Sequence, residues 1–125
     1  ATSGDVARLL AAGAVAVQCG TAFLRCPEAG TSAVHRELLA HATGTAVTRA
    51  FSGRPARGLR NGFMDRFDGQ APSVYPQVDQ ATKPLRAAAA AAGDVDGISA
   101  WAGAAWSAAR AVPVAEVVAD LCGGL

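Results

Sequence analysis

The chain has 125 residues and a mass of 12.5 kDa, which on length alone is one ordinary domain. Its 51% hydrophobic fraction is inflated by 31 alanines, while Leu, Ile, Val and Phe supply 26 residues, near the lower edge of what a packed core needs. Ten of the eleven basic residues are arginine and the net charge is only +1, which excludes a polybasic binder of nucleic acid or anionic membrane, and an acidic tail.

In chain order, residues 3–13 read as a helix that Ser3 can cap, with Asp5 in its first turn and Val6, Leu9 and Leu10 on one face before Gly13. Ala14-Val15-Ala16-Val17-Gln18-Cys19 follows, apolar and β-branched without a polar alternation, the pattern of a strand buried on both faces in a parallel sheet. It stops at Gly20-Thr21. Beyond the loop around Cys26-Pro27 and Gly30, residues 32–42 read as a second helix with Val34, Leu38 and Leu39 as its buried stripe. Residues 45–49 form a second strand candidate, and Ser52-Gly53-Arg54-Pro55-Ala56-Arg57-Gly58 reads as a loop by every turn signal. Helices are expected at about 60–67, 79–92 and 98–111. A last helix starts at Pro113 and stops at Gly123-Gly124.

Two strands are too few for a stable sheet, and parallel strands need neighbours to cover their edges. A thin core with two such strands is expected of the C-terminal part of a larger α/β protein. No run approaches the roughly 20 apolar residues of a spanning helix. Cys19, Cys26 and Cys122 are an odd set without a CxxC pair, which argues against a structural zinc site or a disulfide framework. With no charged-then-apolar leader in the sequence, the expected setting is reducing and cytoplasmic.

The segment Gln18-Cys19-Gly20-Thr21-Ala22-Phe23, ending an apolar strand candidate, resembles the nitronate monooxygenases, also called 2-nitropropane dioxygenases. Ala1-Thr2-Ser3-Gly4 looks like the tail of that family's Gly-Gly-Ile-Ala loop. Thr48-Arg49-Ala50-Phe51-Ser52-Gly53-Arg54-Pro55-Ala56-Arg57-Gly58-Leu59-Arg60-Asn61 is similar to a second landmark. Tyr75-Pro76, Thr82-Lys83-Pro84-Leu85-Arg86 and Trp101-Ala102-Gly103 resemble a third, although Ala104 stands where the family commonly has glutamine.

The resemblance implies the C-terminal part of a TIM (β/α)8 barrel, with about two parallel strands followed by a helical C-terminal segment. Residues 1–62 would be the last βα units of a flavin-binding barrel, and 63–125 a helical segment packed on it. It implies FMN as cofactor, and oxidation of small-molecule alkyl nitronates by O2 to a carbonyl compound and nitrite. The catalytic histidine would lie in a part of the barrel outside this chain, leaving the chain inactive alone. Partners are then the remainder of the barrel and possible further copies of the chain, with neither nucleic acid nor membrane.

In barrels of this kind phosphates sit near the last βα loops. Gly20 lets backbone approach an anion, the N–H groups around Gly20 and Thr21 and the Thr21 hydroxyl can donate to it, and Gln18 can present its amide. Gln18, Cys19, Gly20 and Thr21 are therefore the candidate cofactor-binding residues, with no catalytic and no metal-binding residue assigned. A glutamine hydrogen-bonded to backbone is the ordinary alternative for Gln18. Arg49, Arg54, Arg57, Arg60 and Arg66 can clamp oxyanions, but an architectural role is the plainer expectation. His35 and His41 stand six apart, about 240° around a helix, so they cannot share a metal and read as surface residues. Two other readings stay open at this point: a non-catalytic helical module that binds a phosphate-bearing ligand or a protein partner, and part of another FMN barrel reductase acting on quinones or enoyl substrates.

Overall fold

The computed structural model describes residues 1–123, so Gly124, the second half of the expected helix stop, lies outside the described residues. The elements are α1 (Ser3–Ala11), α2 (Ala33–His41), β1 (Thr45–Thr48), β2 (Ala56–Leu59), α3 (Gly62–Phe67), α4 (Gln77–Ala92) and α5 (Val114–Cys122), with short 3₁₀ turns at Thr21–Phe23, Asp68–Gln70 and Trp106–Ala108. They form two compact units, one of residues 1–31 with 105–125 and one of residues 32–104.

In the first unit, α1 packs against α5, and α5 packs against the 3₁₀ turn at Thr21–Phe23. Thr2, not Ser3, caps α1. Its hydroxyl accepts from Asp5 N–H at 3.2 Å and the Asp5 carboxylate accepts from Thr2 N–H at 3.0 Å, a reciprocal box that satisfies two first-turn donors. These contacts hold the Asp5 carboxyl below its ordinary value. Glu28 receives the Val114 N–H at the start of α5 at 3.1 Å, where an anion complements the helix dipole.

Ala14–Cys19 is not a strand. It leaves α1 without a ladder partner among the described residues, and Val15 is fully exposed. A chain segment becomes a strand only when another backbone satisfies its edge groups. The expected parallel pair is accordingly replaced by an antiparallel one: β1 pairs with β2 in the register Thr45↔Leu59 to Thr48↔Ala56. Seven residues connect them, a local closure that needs no crossover helix.

The second unit is built on this hairpin. The loop expectation for residues 52–58 misses β2, because Pro55 and Gly58 disguise it. Gly58 is required by a close approach: a Cβ there would stand 2.9 Å from the Ala100 carbonyl oxygen and 3.0 Å from Met64 Cε. What approaches is the extended segment Ala100–Ala102, which bonds the outer edge of β2 through Leu59 N–H to Ala100 O at 2.8 Å and Ala102 N–H to Arg57 O at 3.2 Å. That pairing overrides the helix propensity of this alanine-rich stretch, so the helix expected over 98–111 is absent and Trp101 and Trp106 do not share one.

The core of this unit centres on Phe51, fully buried, with the Phe63 ring stacked at 4.7 Å and Trp101 edge-on at 5.7 Å. Asn61 caps α3 by accepting from Met64 N–H at 3.2 Å, and its amide donates to Ile98 O at 2.8 Å and Val95 O at 3.2 Å. Arg86, on α4, donates to the Asp79 carboxylate at 2.7 Å, to Thr82 Oγ1 and to Ser99 Oγ. Gly53 has φ +79°, and a Cβ there would run into the Val74 carbonyl.

Urea unfolding of Gly53→Ala is expected to show a loss of at least about 2 kcal/mol, since left-handed strain and a backbone collision act together. Gly93→Ala has a similar φ of +71° but open space around it, and is expected to cost only about 1 kcal/mol. Equal losses would show that the Val74 contact is not a constraint.

Candidate functional site

The candidate phosphate-binding segment lies entirely in the first unit. Gln18 and Gly20 are exposed, while Cys19 and Thr21 are half-buried. Gly20 precedes the 3₁₀ turn, whose bonds run from Phe23 N–H to Gly20 O at 3.0 Å and from Leu24 N–H to Thr21 O at 3.2 Å. Both carbonyls point into the turn. The backbone of Gly20 has φ −115° and ψ −56°, which any residue adopts, and a Cβ added there would meet nothing within 4 Å. The folded chain itself does not need glycine at position 20.

Ala22, next to Thr21, lines a cavity of about 370 Å³ together with Thr2, Ser3, Ala108, Arg110 and Val117. The sequence reading missed Arg110 as a neighbour of this segment, because the two are separated by more than eighty residues. Arg110 pairs with Asp120 of α5, and Arg25 donates to the Ala109 carbonyl at 3.3 Å. At the start of α1 the capping box engages Thr2 and Asp5. The N–H groups of Ser3 and Gly4 have no intrahelical acceptor by helix geometry, and carry the positive end of the dipole. The cavity therefore joins a helix start, the Arg110–Asp120 ion pair and Ala22, the residue after Thr21.

Three of the four arginines of the 49–60 stretch have architectural side-chain contacts, while Arg49 is exposed. Arg57 donates to Thr45 Oγ1 across the hairpin at 3.0 Å, Arg60 pairs with Asp65 at 2.7 Å, and Arg54 lies over the Tyr75 ring at 5.2 Å. The Asp68 carboxylate accepts from the Thr48 hydroxyl at 2.6 Å and from Arg49 N–H at 3.1 Å, which hold it below the ordinary carboxylate range. The histidines part company: His41 is exposed, whereas His35 is half-buried beside the α2 core positions. Its Nε2 is buried and has no hydrogen-bond partner among the described residues. Burial lowers its pKa from 6.5. Cys26 is buried, Cys19 half-buried and Cys122 exposed, all as thiols. No helix among the described residues is long and apolar enough to cross a membrane.

This geometry defines a piece of an α/β enzyme scaffold, and comparison with solved structures specifies which. Over 99% of the chain it superposes on a nitroalkane oxidase from Streptomyces ansochromogenes with a TM-score of 0.93 and 44% identity, covering 36% of that protein. The fold is that of the C-terminal part of a TIM barrel. Residues 1–124 match the nitronate monooxygenase family, and the chain belongs to that family. It is 47% identical over 116 residues to a nitronate monooxygenase of Pseudomonas aeruginosa, across 87% of this chain and 32% of the relative. It is 41% identical over 121 residues to one of Paraburkholderia phytofirmans, across 93% and 33%, and 35% identical over 114 residues to a probable nitronate monooxygenase of Staphylococcus aureus, across 87% and 32%. The chain thus spans about a third of the length of these relatives.

The sign of the His35 shift gives a pH dependence. The unfolded chain takes up the proton near pH 6.5 and the folded chain only at lower pH, so stability is full above 6.5 and falls as pH drops below it. The His35 ring is expected to titrate below 6.5 by NMR, and His35→Phe to flatten the acid side of the stability profile. A His35 midpoint at or above 6.5 would contradict the buried, unpartnered Nε2.

Proposed function

We propose that this chain forms the phosphate-binding wall of an FMN-dependent nitronate monooxygenase. Within the complete enzyme, alkyl nitronates would be oxidised by O2 to a carbonyl compound and nitrite. The observation that carries the reading is the family match over residues 1–124, which places Gln18-Cys19-Gly20-Thr21 within the matched chain. A residue without a Cβ in that segment would let a ligand approach the backbone closely.

The residues fit the group. Backbone N–H groups at Gly20 and Thr21, the Thr21 hydroxyl, and the first-turn N–H groups of Ser3 and Gly4 would hold the phosphate. Gln18, exposed at the end of its segment, would present its amide to the ring system, and Cys19 would pack beside it. When bound, the flavin supplies electron transfer from substrate to oxygen, while the protein supplies position and electrostatics. Ala14–Cys19 would be a barrel strand in that setting, its apolar side chains covered and its edges paired, which accounts for an apolar segment exposed here. Residues 1–62 are then the last βα units, and 63–125 the segment bracing them. Neither His35 nor His41 is assigned the role of base. The chain alone is expected to release little or no nitrite from propionate-3-nitronate. The family match over nearly the whole chain supports this reading over a free-standing helical module or another barrel reductase.

Gly20→Val tests the site. Unfolding stability is expected to change by no more than about 0.5 kcal/mol, since open space receives the side chain. FMN affinity, followed by quenching of flavin fluorescence, is expected to fall at least tenfold. Unchanged affinity would remove Gly20 from the site, and an equal loss of stability would make its role structural.

A further inference from the structure

β1 is bonded along one side only, and the third row of the sheet fixes which of its backbone groups face outwards. Leu59 N–H and Arg57 O turn towards Ala100–Ala102, so Ala56 and Gly58 turn towards β1, where Gly58 pairs with Ala46 and Ala56 with Thr48. The N–H and C=O groups of the alternate residues, Thr45 and Val47, therefore point away from the hairpin. None of these four groups bonds to another backbone group among the described residues. The edge also lacks the features that discourage a further strand. Thr45-Ala46-Val47-Thr48 holds no charge and no proline, its register carries no bulge, and the Val47 side chain is 50% exposed.

This edge is complementary to itself. In an antiparallel pair, two residues directly opposite exchange both of their bonds. A twofold axis at Ala46 sets Thr45 of each copy against Val47 of the other, and all the outward groups are then satisfied. An axis at Val47 would instead set Thr45 against Arg49, whose N–H already donates to Asp68 and whose carbonyl already accepts from Gly53 N–H. An axis at Thr45 would draw its outer bonds from Thr43, which lies outside the strand. The Ala46 axis also opposes no like charges, since Gly44 meets Thr48 and Arg49 meets Thr43. Val47 comes to lie between Arg57 of its own hairpin and Thr45 of the other copy, which covers part of its exposed side chain. We propose that two copies of this chain pair through β1 in this register, forming one continuous sheet to which each copy supplies three rows. The contact is short, so the pairing is weak and depends on concentration. It does not rest on the flavin reading, since its residues all belong to the 32–104 unit and its test contains no flavin.

The 125-residue chain is followed by sedimentation equilibrium and amide hydrogen exchange from micromolar to millimolar concentration. The weight-average mass is expected to rise from 12.5 kDa towards twice that value. Exchange at the Thr45 and Val47 N–H groups should slow in step, while those of Ala46 and Thr48, which face β2, are protected at every concentration. Val47→Lys places a charge on the edge and is expected to weaken the pairing at least tenfold. The register is read by cross-linking in a chain carrying Cys19→Ser and Cys122→Ser. There Ala46→Cys should form a disulfide between copies under mild oxidation, because opposed residues of a non-hydrogen-bonded pair bring their Cα atoms to about 4.5 Å. Val47→Cys should cross-link far less. A mass that stays at one chain up to millimolar concentration, or pairing that Val47→Lys leaves unweakened, would overturn the proposal. So would cross-linking through Val47→Cys in preference to Ala46→Cys. Slow exchange of the Val47 N–H at every concentration would overturn it too, by showing the edge covered from within its own chain. Should Val47→Lys fail to fold, the disulfide comparison decides alone.

Discussion

The side chain of Asn61 is the point on which the second unit depends. Its carbonyl oxygen starts α3, and its amide group holds the Val95 and Ile98 carbonyls. The helix that follows β2 is thereby tied to the segment that becomes the third row of the hairpin. Asp96 reinforces the joint by accepting from Gly62 N–H through its carboxylate at 2.8 Å and from Phe63 N–H through its carbonyl at 3.0 Å. Asn61 is 5% exposed, so each of these bonds is made where water competes poorly, and each would leave a buried polar group if broken. Once Asn61 fixes the course of residues 95–98, Ala100–Ala102 arrives alongside β2 and Trp101 reaches Phe51.

Local signals in the sequence were legible where structure is local. α2 begins and ends within a residue of expectation, because Ser32 caps it by accepting from His35 N–H and Val34, Leu38 and Leu39 repeat on one face. α4 and α5 were likewise readable, α4 ending at the left-handed Gly93. The errors share one cause. Ala14–Cys19 has the composition of a buried strand but no partner among the described residues, while Ala100–Ala102 has the composition of a helix but a partner that draws it out straight. In both, pairing between distant segments outweighs intrinsic preference, and pairing is not written in a local window. β2 was hidden for a related reason. Gly58 reads as a turn residue unless it is known that Ala100 and Met64 press against it.

For the site, Gln18, Cys19, Gly20 and Thr21 are recognised by resemblance, and their role as cofactor contacts is the reading proposed above. A glycine is informative when its fold does not use it. Gly53 and Gly58 are both explained by carbonyls that would collide with a Cβ, so neither points beyond the chain. Gly20, like Gly30, Gly44 and Gly69, has open space and no positive φ, so the described residues make no demand for glycine there. Arg110 was invisible for want of any sequence signal connecting position 110 to position 22. His35 was misjudged because a helical wheel places it beside the core stripe without saying how much of its ring is covered.

The arginine-rich stretch carries the most general point. Its composition can clamp oxyanions, but an architectural role is the plainer expectation from the sequence. Arg54, Arg57 and Arg60 each have a nearby partner that fixes a turn, a hairpin or a helix start: Tyr75, Thr45 and Asp65. The stretch identifies the family because it builds a shape, in the way that Gly53 and Asn61 within it do. Residues whose interactions are complete within the chain specify architecture, and those left incomplete beside a cavity mark where a ligand's chemistry fits.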